Sequence, residues 1–340
     1  MNDKTNSRPQ KRKPTSYDVA RHAGVSQSAV SRCFKPGASV SKKMRERVMK
    51  SVRELGYTPN AIARGLITRR SNMVAVIVSN LHFYPEVLSE LSERFSERGV
   101  HVLLFTLNHE SDVTRVLDQV WQYQVDGVVA AAHLSKKQVR QFQERHIPLV
   151  FYNRAYQDLP VSSVCCDQVE GERQLVNLLV GSGGHKSFAV IGGPSDSVVS
   201  MQRTQGAIDR LRDLGITDIS EAAGDYSYQS GRRALLEVIE TRGTVPDACI
   251  CANDMMALGV MDELRFHLEL DVPGDVSVVG FDGVRAAHWA SFDLATIEQP
   301  VESMTEAAVS MLLERIDNEN LPPEKRTFSG VLRAGATVRG

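Results

Sequence analysis

Short apolar runs alternate with amphipathic helical patterns along the chain from residue 73 onward. Continuously apolar runs are typical of strands buried on both faces, and helices between them cover the faces of a parallel sheet. The strand candidates are Met73–Val78, Val100–Phe105, Asp126–Ala131, Pro148–Phe151, Val161–Cys165, Phe188–Ile191, Ala248–Cys251, Val276–Val279 and Ala295–Ile297. The helix candidates include Pro85–Arg98, Gln168–Val180, Met201–Leu214, Ser230–Thr241, Asp254–Phe266 and Val301–Asp317. The alternation predicts an α/β core, and residues 73–340 are too many for one such sheet, so we expect two Rossmann-like lobes.

The residues before this core carry a purely helical pattern. Thr15, Ser26 and Ser41 each precede a short amphipathic stretch and can cap a helix through the side-chain oxygen. Gly24 ends the first stretch just before the second cap, which leaves room only for a tight turn. We therefore predict an all-α helix-turn-helix domain over residues 14–58.

Charge is divided unequally between these two parts. Residues 1–72 contain 17 Lys and Arg against 4 Asp and Glu, a net charge of +13, and the whole chain has a net charge of −1, which leaves −14 on residues 73–340. A cationic segment on an anionic body indicates a polyanionic partner for that segment. DNA fits better than a membrane surface, because the segment lacks a strongly amphipathic basic helix with bulky apolar anchors. Residues 1–13 are polar, basic and aperiodic, which predicts a disordered tail.

The second predicted helix offers three side chains suited to reading bases. In helix-turn-helix proteins this helix enters the major groove with its early exposed residues against base edges. Here those residues are Gln27, Ser28 and Arg32. Glutamine pairs bidentately with adenine, arginine with guanine, and serine with either. Alternatively they are solvated residues of an ordinary surface helix, but the charge of the segment and the spacing of the caps favour DNA binding.

The segment Thr15–Arg32, TSYDVARHAGVSQSAVSR, resembles the signature of the LacI/GalR family of bacterial repressors. Residues 57–66, YTPNAIARGL, resemble the hinge helix of that family. Looser matches follow in the family's order along the core: Gly184-His185-Lys186, Arg203-x-x-Gly206, Gly224-Asp225-Tyr226, Ser230-Gly231, Asn253-Asp254-x-x-Ala257-x-Gly259 and Val279-Gly280-Phe281-Asp282. The resemblance extends over about residues 14–333.

For the first part of the chain, the resemblance implies a homodimer on a pseudo-palindromic operator in double-stranded DNA, with Gln27, Ser28 and Arg32 reading bases in each half-site. Further DNA contacts are implied for Tyr17, Ser26, Ser31, Asn60 and Arg64. It also implies a hinge over residues 59–72 that is disordered when free, in which Leu66 of each subunit opens the central base step in the minor groove. The alternative is that Leu66 packs between hinge and core. Ile67 departs from the polar residue often found in the family at that position.

For the core, the resemblance implies a two-lobed, periplasmic-binding-protein-like fold with a small-molecule effector between the lobes. The chain would cross between the lobes three times, near Val161, Phe292 and Pro323. That division gives an N-lobe of about residues 73–161 and 292–323 and a C-lobe of about residues 162–291 and 324–340.

Strand ends that face such a cleft are where ligands bind in open α/β sheets. The candidates there are Asn80, Phe83, Asn153, Arg203, Tyr226, Asn253 and Asp282. Arginine binds carboxylates or paired hydroxyls, amides and carboxylates bind hydroxyls, and an aromatic face stacks on a sugar ring. The alternatives are helix caps for Asn253 and Asp282, a surface ion pair for Arg203 and lobe packing for Tyr226. Asn153 stands where many family members carry aspartate, and the loss of that charge favours an acidic effector such as a sugar acid.

Several other features argue against competing functions. The polar, then basic N-terminus and the short apolar runs argue against a secretory signal or a transmembrane helix, so a cytoplasmic protein is expected. The segment Gly181–Ser187 is not a phosphate-binding loop, because His185 stands where a glycine must precede the lysine. Cys249-x-Cys251 lies in a strand candidate and has no second pair at zinc spacing, so core packing is favoured over a metal site. We find no cofactor fingerprint or catalytic motif, and expect no cofactor and no enzyme.

The sequence therefore predicts a sequence-specific DNA-binding transcriptional regulator, most simply a repressor. A small polar metabolite between the lobes, such as a sugar or sugar acid, is expected to change its affinity for the operator, and induction and corepression both remain open. The alternative is a solute-binding protein of the same core fold, which would need a secretory signal and would have no use for a basic first domain. The chain has no C-terminal heptad helix of the kind that makes some relatives tetramers, which favours a dimer.

Overall fold

The computed structural model describes residues 12–34, 38–58, 70–79, 85–107, 112–154, 156 and 159–340. The chain divides into two compact units, Met1–Ser71 and Asn72–Gly340. Several predictions fall outside the described residues: most of the tail, and the candidates Asn60, Arg64, Leu66, Asn80 and Phe83.

The described part of the first unit consists of helices that begin and end at the predicted signals. They are α1 (Ser16–Ala23), α2 (Gln27–Cys33) and α3 (Lys42–Leu55). Thr15 and Asp18 form a capping box on α1, in which each side chain accepts a hydrogen bond from the other residue's N–H. Gly24 ends α1 with φ 57°, a left-handed conformation that glycine adopts without strain. Buried apolar side chains from all three helices form one small core: Val19, Ala20, Ala23, Val30, Cys33 and Val48.

The second unit contains two sheets, and the first of them is wholly parallel. Its strands are β1 (Met73–Val78), β2 (His101–Thr106), β3 (Gly127–Ala131), β4 (Leu149–Tyr152), β5 (Ser162–Cys166) and β11 (Lys325–Phe328). They lie in the order β11–β5–β4–β3–β1–β2. The helices of this lobe are α4 (Pro85–Glu97), α5 (Asp112–Gln122), α6 (Lys136–Glu144) and α11 (Val301–Asp317).

The second sheet is parallel except at one edge. Its strands are β6 (Phe188–Gly192), β7 (Ile219–Ala223), β8 (Ala248–Cys251), β9 (Ser277–Asp282), β10 (Ala295–Glu298) and β12 (Val331–Arg333). They lie in the order β12–β10–β9–β8–β6–β7, with β12 antiparallel to β10. The helices of this lobe are α7 (Gln168–Ser182), α8 (Val198–Asp213), α9 (Tyr228–Arg242) and α10 (Asp254–Phe266), and a 3-10 helix spans Arg285–His288.

The predicted α/β core of two parallel-sheet lobes is confirmed, but each crossing lies later in the chain than the predicted positions near Val161, Phe292 and Pro323. β5 and β11 belong to the first sheet, where they pair with β4 and with each other, and β10 belongs to the second. A buried apolar strand has the same pattern in either sheet, so only its pairing shows the lobe to which it belongs.

Three edge strands were absent from the predicted set: β7, β11 and β12. Each has exposed or half-exposed positions along its length, because an edge strand has a neighbour on one side only. The continuous apolar run that marked the central strands is therefore missing from them.

Candidate functional site

The predicted reading helix presents its polar side chains on one face. Ala29, Val30 and Cys33 of α2 are buried in the core of the first unit. Ser28, Ser31 and Arg32 are exposed, while Gln27 is half-buried and lies with its Nε2 3.5 Å from Ser16 Oγ. The three predicted base-reading residues are thus on a helix whose other side is fixed by packing, which leaves them free to meet a groove.

Two serines shape the beginning of this helix. Ser26 Oγ accepts a hydrogen bond from the N–H of Ala29 at 3.2 Å, and it lies 2.9 Å from Ser28 Oγ. The exposed N–H groups of a helix N-terminus bind phosphate well, so a capped, exposed α2 suits contact with a DNA backbone. Tyr17, predicted to contact DNA, is 68% exposed, so its ring is accessible to a partner.

A cleft between the two sheets contains all five described residues predicted to bind an effector. Asn153, Arg203, Tyr226, Asn253 and Asp282 all line it. Its empty volume is about 710 Å³, including the part open to solvent. Arg154, which follows Asn153 at the end of the same strand, lines the cleft as expected. Lining residues that were not predicted are Glu86, Val87, Tyr152, Val199, Gly283, Val284, Gln299 and Val301.

Arg203 on α8 is the most strongly held residue of the cleft and is only 2% exposed. Its Nη2 lies 2.9 Å from Asp282 Oδ1, its Nη1 donates to the carbonyl of Ala252 at 2.6 Å, and its guanidinium carbon lies 3.8 Å from the ring centroid of Phe281. Burial alone would lower the pKa of Arg203, but the acidic groups around it, Asp282 foremost, together outweigh burial, so the pKa is raised. The alternative of a surface ion pair is therefore wrong, because Arg203 is buried and Asp282 is half-buried.

Asp282 is the last residue of β9, and its side chain contacts Gln299 in the crossing that follows β10. Its Oδ1 accepts from Nε2 of Gln299 at 2.6 Å as well as from Arg203. Its φ of 121° is rare for a residue with a side chain, and such backbone strain is concentrated at functional sites. The helix-cap alternative fails for Asp282, since the next helix is preceded by Val284, without a side-chain cap.

Asn253 fits its alternative better: it is the N-cap of α10. Its Oδ1 accepts from the N–H of Met256 at 3.0 Å, and its Nδ2 donates to the carbonyl of Tyr226 at 3.1 Å. Tyr226 has a φ of 67° and its hydroxyl lies 3.2 Å from Ser197 Oγ. Asn253 therefore holds the backbone of Tyr226 beside the cleft, and its own polar atoms already have partners in the protein.

Asn153 lies on the first-lobe side of the cleft and contacts a residue that the sequence did not single out. Its φ is 50°, in the left-handed region that asparagine tolerates, and it is 5% exposed. Its Oδ1 accepts a hydrogen bond from Nε2 of Gln168 at 3.0 Å. Gln168 begins α7 and, at 2% exposed, is buried. The sequence signal for Gln168 was its polar side chain directly after the helix cap Asp167. That signal is weak, because the first residues of helices are ordinarily polar.

A buried carboxylate fixes the loop behind Asp282. Asp254 accepts from the hydroxyl of Thr296 at 2.5 Å and from the N–H of Val284 at 2.8 Å. Burial, with the charge of Asp282 nearby, raises the pKa of Asp254 to about 7. By holding β10 and the loop after β9 together, this side chain positions Asp282 against Arg203.

His185 and Cys249, for which the sequence favoured no binding or metal-ligating role, are buried in the second lobe. His185 is buried, with Nδ1 2.8 Å from the carbonyl of Leu179 and Nε2 2.8 Å from Ser277 Oγ. Cys249 lies in the central strand β8, and burial raises its pKa to about 12. Among the residues that the structure describes, no group of His, Cys, Asp and Glu is placed to hold a metal ion. None of the described helices combines the length and hydropathy that a bilayer span requires.

A helix-turn-helix unit followed by a two-lobed core with a polar cleft defines a class of ligand-responsive DNA-binding regulators. Residues 15–60 match the model of bacterial regulatory proteins of the lacI family, and residues 176–338 match a periplasmic binding protein-like domain. The chain belongs to the LacI family of bacterial transcriptional regulators. This confirms the predicted family, and the family consists of regulators, not enzymes.

Two curated relatives illustrate the similarity. The HTH-type transcriptional regulator CelR of Thermobifida fusca is 33% identical over 92% of this chain and 95% of its own length. The ribose operon repressor of Escherichia coli (strain K12) is 29% identical over 94% of this chain and 98% of its own length.

Two solved structures are similar over nearly the whole chain. The lac repressor dimer bound to operator and the anti-inducer ONPF has a TM-score of 0.86 at 27% identity, covering 97% of this chain and 100% of that one. The CelR–cellobiose complex has a TM-score of 0.72 at 30% identity, covering 95% and 99%.

Proposed function

We propose that this sequence-specific transcriptional regulator binds its operator as a homodimer and changes its operator affinity when a small polar metabolite occupies the cleft. The observation that carries the proposal is the ion pair of buried Arg203 with half-buried Asp282 at the cleft, since Gln299 in a crossing between the lobes contacts that same Asp282. A ligand that engages this pair acts where lobe movement is controlled. By linkage, such a ligand and the operator alter each other's affinity by the same factor.

On the DNA side, we assign base reading to Gln27, Ser28 and Arg32. Their position on α2 opposite its buried face, with Ser28 and Arg32 exposed and Gln27 half-buried, supports the assignment. Tyr17, Ser26 and Ser31 are proposed to contact the backbone, because all three are exposed on α1 and at or near α2. The solved lac repressor dimer is bound to operator, which supports a homodimer on a pseudo-palindromic site for this chain.

The hinge assignment depends on the sequence resemblance. Asn60 and Arg64 are proposed to contact DNA and Leu66 to enter the minor groove at the central base step. Because its target is the chromosome, the regulator is proposed to work in the cytoplasm, associated with the nucleoid.

On the ligand side, the chemistry of the cleft favours a sugar or a sugar acid. Arg203 and Arg154 offer cationic forks, Asp282 and Glu86 accept from hydroxyls, and Tyr226 offers a ring face. CelR was solved with cellobiose, which is consistent with a carbohydrate. Because Arg203 already pairs with Asp282 inside the protein, a carboxylate on the ligand competes with Asp282 for it, whereas a hydroxyl group can bridge both.

Thermal-shift screening of the full-length protein against sugars, sugar acids and nucleobases tests the ligand class. At 100 times its dissociation constant, a ligand specific for the folded state adds about 2.7 kcal/mol of stability. Gel-shift titration with and without each hit then gives the sign of the coupling. A hit that binds tightly and leaves operator affinity unchanged would refute the coupling, and the absence of site-specific DNA binding would refute the regulator.

A further inference from the structure

A buried glutamine joins the two lobes at the first crossing. Gln168 begins α7 of the second lobe, directly after β5 of the first lobe and its cap Asp167. Its Nε2 donates to Asn153 Oδ1 at 3.0 Å and to the carbonyl of Cys166 at 2.8 Å, and its Oε1 accepts from Arg203 Nε at 2.7 Å. Asn153 follows β4 of the first lobe, whereas Arg203 is on α8, so the bond to Asn153 connects the lobes.

The chemistry of arginine fixes the direction of these bonds. A guanidinium has donors and no acceptor, so the atom of Gln168 that faces Arg203 must be Oε1. Nε2 then faces Asn153, which in turn must present its Oδ1. The hydrogen bonds therefore run in one direction, from Arg203 through Gln168 to Asn153.

Both ends of this chain of hydrogen bonds line the cleft, whereas its middle does not. Asn153 and Arg203 are cleft residues, and Gln168 is buried behind them. On the far side, Arg203 continues the chain to Asp282 and then to Gln299 at the second crossing. A break in such a buried chain leaves polar groups without partners, which shifts a two-state equilibrium by about tenfold or more.

We propose that Gln168 is a positioning residue that ties the angle between the lobes to the state of the cleft. A change in lobe angle separates Asn153 from Gln168, and a ligand hydroxyl that donates to Asn153 Oδ1 replaces the Gln168 amide there. The role of the ligand rests on the proposed function above, whereas the bond between the lobes does not depend on it.

Hydrogen–deuterium exchange on the full-length protein without ligand tests the bond. Gln168→Met keeps the approximate shape and removes both amide atoms, Asn153→Gly removes the acceptor without strain at a φ of 50°, and Asn153→Asp keeps an acceptor for Gln168. We expect Gln168→Met to raise exchange in first-lobe residues 149–154 by about fivefold or more. Asn153→Gly should raise exchange in second-lobe residues 168–172 by a similar factor.

Non-additivity separates positioning from simple packing. The double variant should exchange no faster than either single variant, and Asn153→Asp should behave like wild type. Arg285→Ala is the matched control. It removes the ion pair between Arg285 and Glu86 of α4 in the first lobe, and because the Arg285 side chain is 85% exposed, exchange should change little. Exchange changes confined to the second lobe, additive effects, or an Asn153→Asp variant that behaves like Asn153→Gly would overturn the proposal.

A second arm uses cellobiose and D-gluconate as probes, with an operator selected from random duplexes by the wild-type protein. Where either probe changes wild-type operator affinity, Gln168→Met should reduce that factor to about a third or less. An undiminished factor in the variant would overturn the positioning role while leaving the effector cleft intact. Were neither probe to act on wild type, the proposed ligand class would fail, and the exchange data would still decide about the bond.

Discussion

Glu172 gives this regulator a stability that depends on pH in the direction opposite to that of most carboxylates. It lies on α7 and is 1% exposed. Neither carboxyl oxygen has a hydrogen-bond partner among the residues that the structure describes. Burial raises the pKa of Glu172 to about 8, although the positive charge of Arg203 partly opposes the shift. The folded protein therefore holds this side chain neutral near neutral pH.

The sign and size follow from the difference between the two states. In the unfolded chain the carboxyl ionises near its ordinary pKa of 4.5, while in the folded protein it keeps its proton until about pH 8. Below about pH 4.5 Glu172 is protonated in both states, so its burial carries no ionisation cost. As pH rises, the unfolded chain is favoured by about 1.4 kcal/mol per pH unit, which amounts to about 3 kcal/mol at pH 7.

Glu172→Gln removes this dependence, because the amide is neutral at every pH. We expect the variant to gain about 3 kcal/mol of unfolding free energy over wild type between pH 4.5 and pH 7. Urea unfolding followed by circular dichroism at several pH values measures it, with exposed Glu314→Gln as the control. Parallel pH profiles for wild type and Glu172→Gln would refute the reasoning, since they would mean that Glu172 is ionised in the folded protein.

Four further predictions concern DNA binding and packing. Replacing Gln27 or Arg32 with Ala should cost about 1–3 kcal/mol of operator binding and relax base preference at one position, measured by competition with randomised duplexes; a uniform loss would indicate backbone contacts only. Operator binding should weaken steeply with salt, because Lys and Arg displace counterions, and a flat profile in salt titration would contradict this. Leu66→Ala should reduce operator bending in a circular-permutation assay, and unchanged bending would show that Leu66 does not open the central base step. Gly259→Ala should lower the free energy of unfolding by about 1–3 kcal/mol in a thermal melt, since its Cβ would clash with the carbonyl oxygen of Tyr228 in α9, whereas Gly181→Ala has open space around its Cβ and should not.

Local features of the fold were accessible from the sequence because they depend on neighbouring residues. Thr15, Ser26 and Ser41 were predicted as helix caps, and each accepts a hydrogen bond from the N–H three residues later. The central strands were recognised for the same reason, as runs buried on both faces. Of the edge strands, β2 was recognised, whereas β7, β11 and β12 were not, since exposure at an edge depends on which neighbours the finished sheet supplies.

The sequence predicted which residues lie at the cleft, but not which of them contact one another. Arg203 and Asp282 were both named as candidates, yet nothing in a linear pattern shows that they pair with each other. Gln168 was missed because its role depends on Asn153 and Arg203 meeting it after folding. For Asn253 the local alternative was the informative one, since capping requires only the residues that follow it.

The three crossings between the lobes affect how this protein can be made. β11 completes one sheet at its edge and β12 completes the other, and both come from the last residues of the chain. Neither half can finish its sheet on the ribosome until that closing segment has emerged, whatever has already formed upstream. Both lobes therefore complete their sheets at almost the same point of synthesis. A nascent chain that stops before residue 325 leaves one unpaired edge on each sheet, where another chain can pair and aggregate.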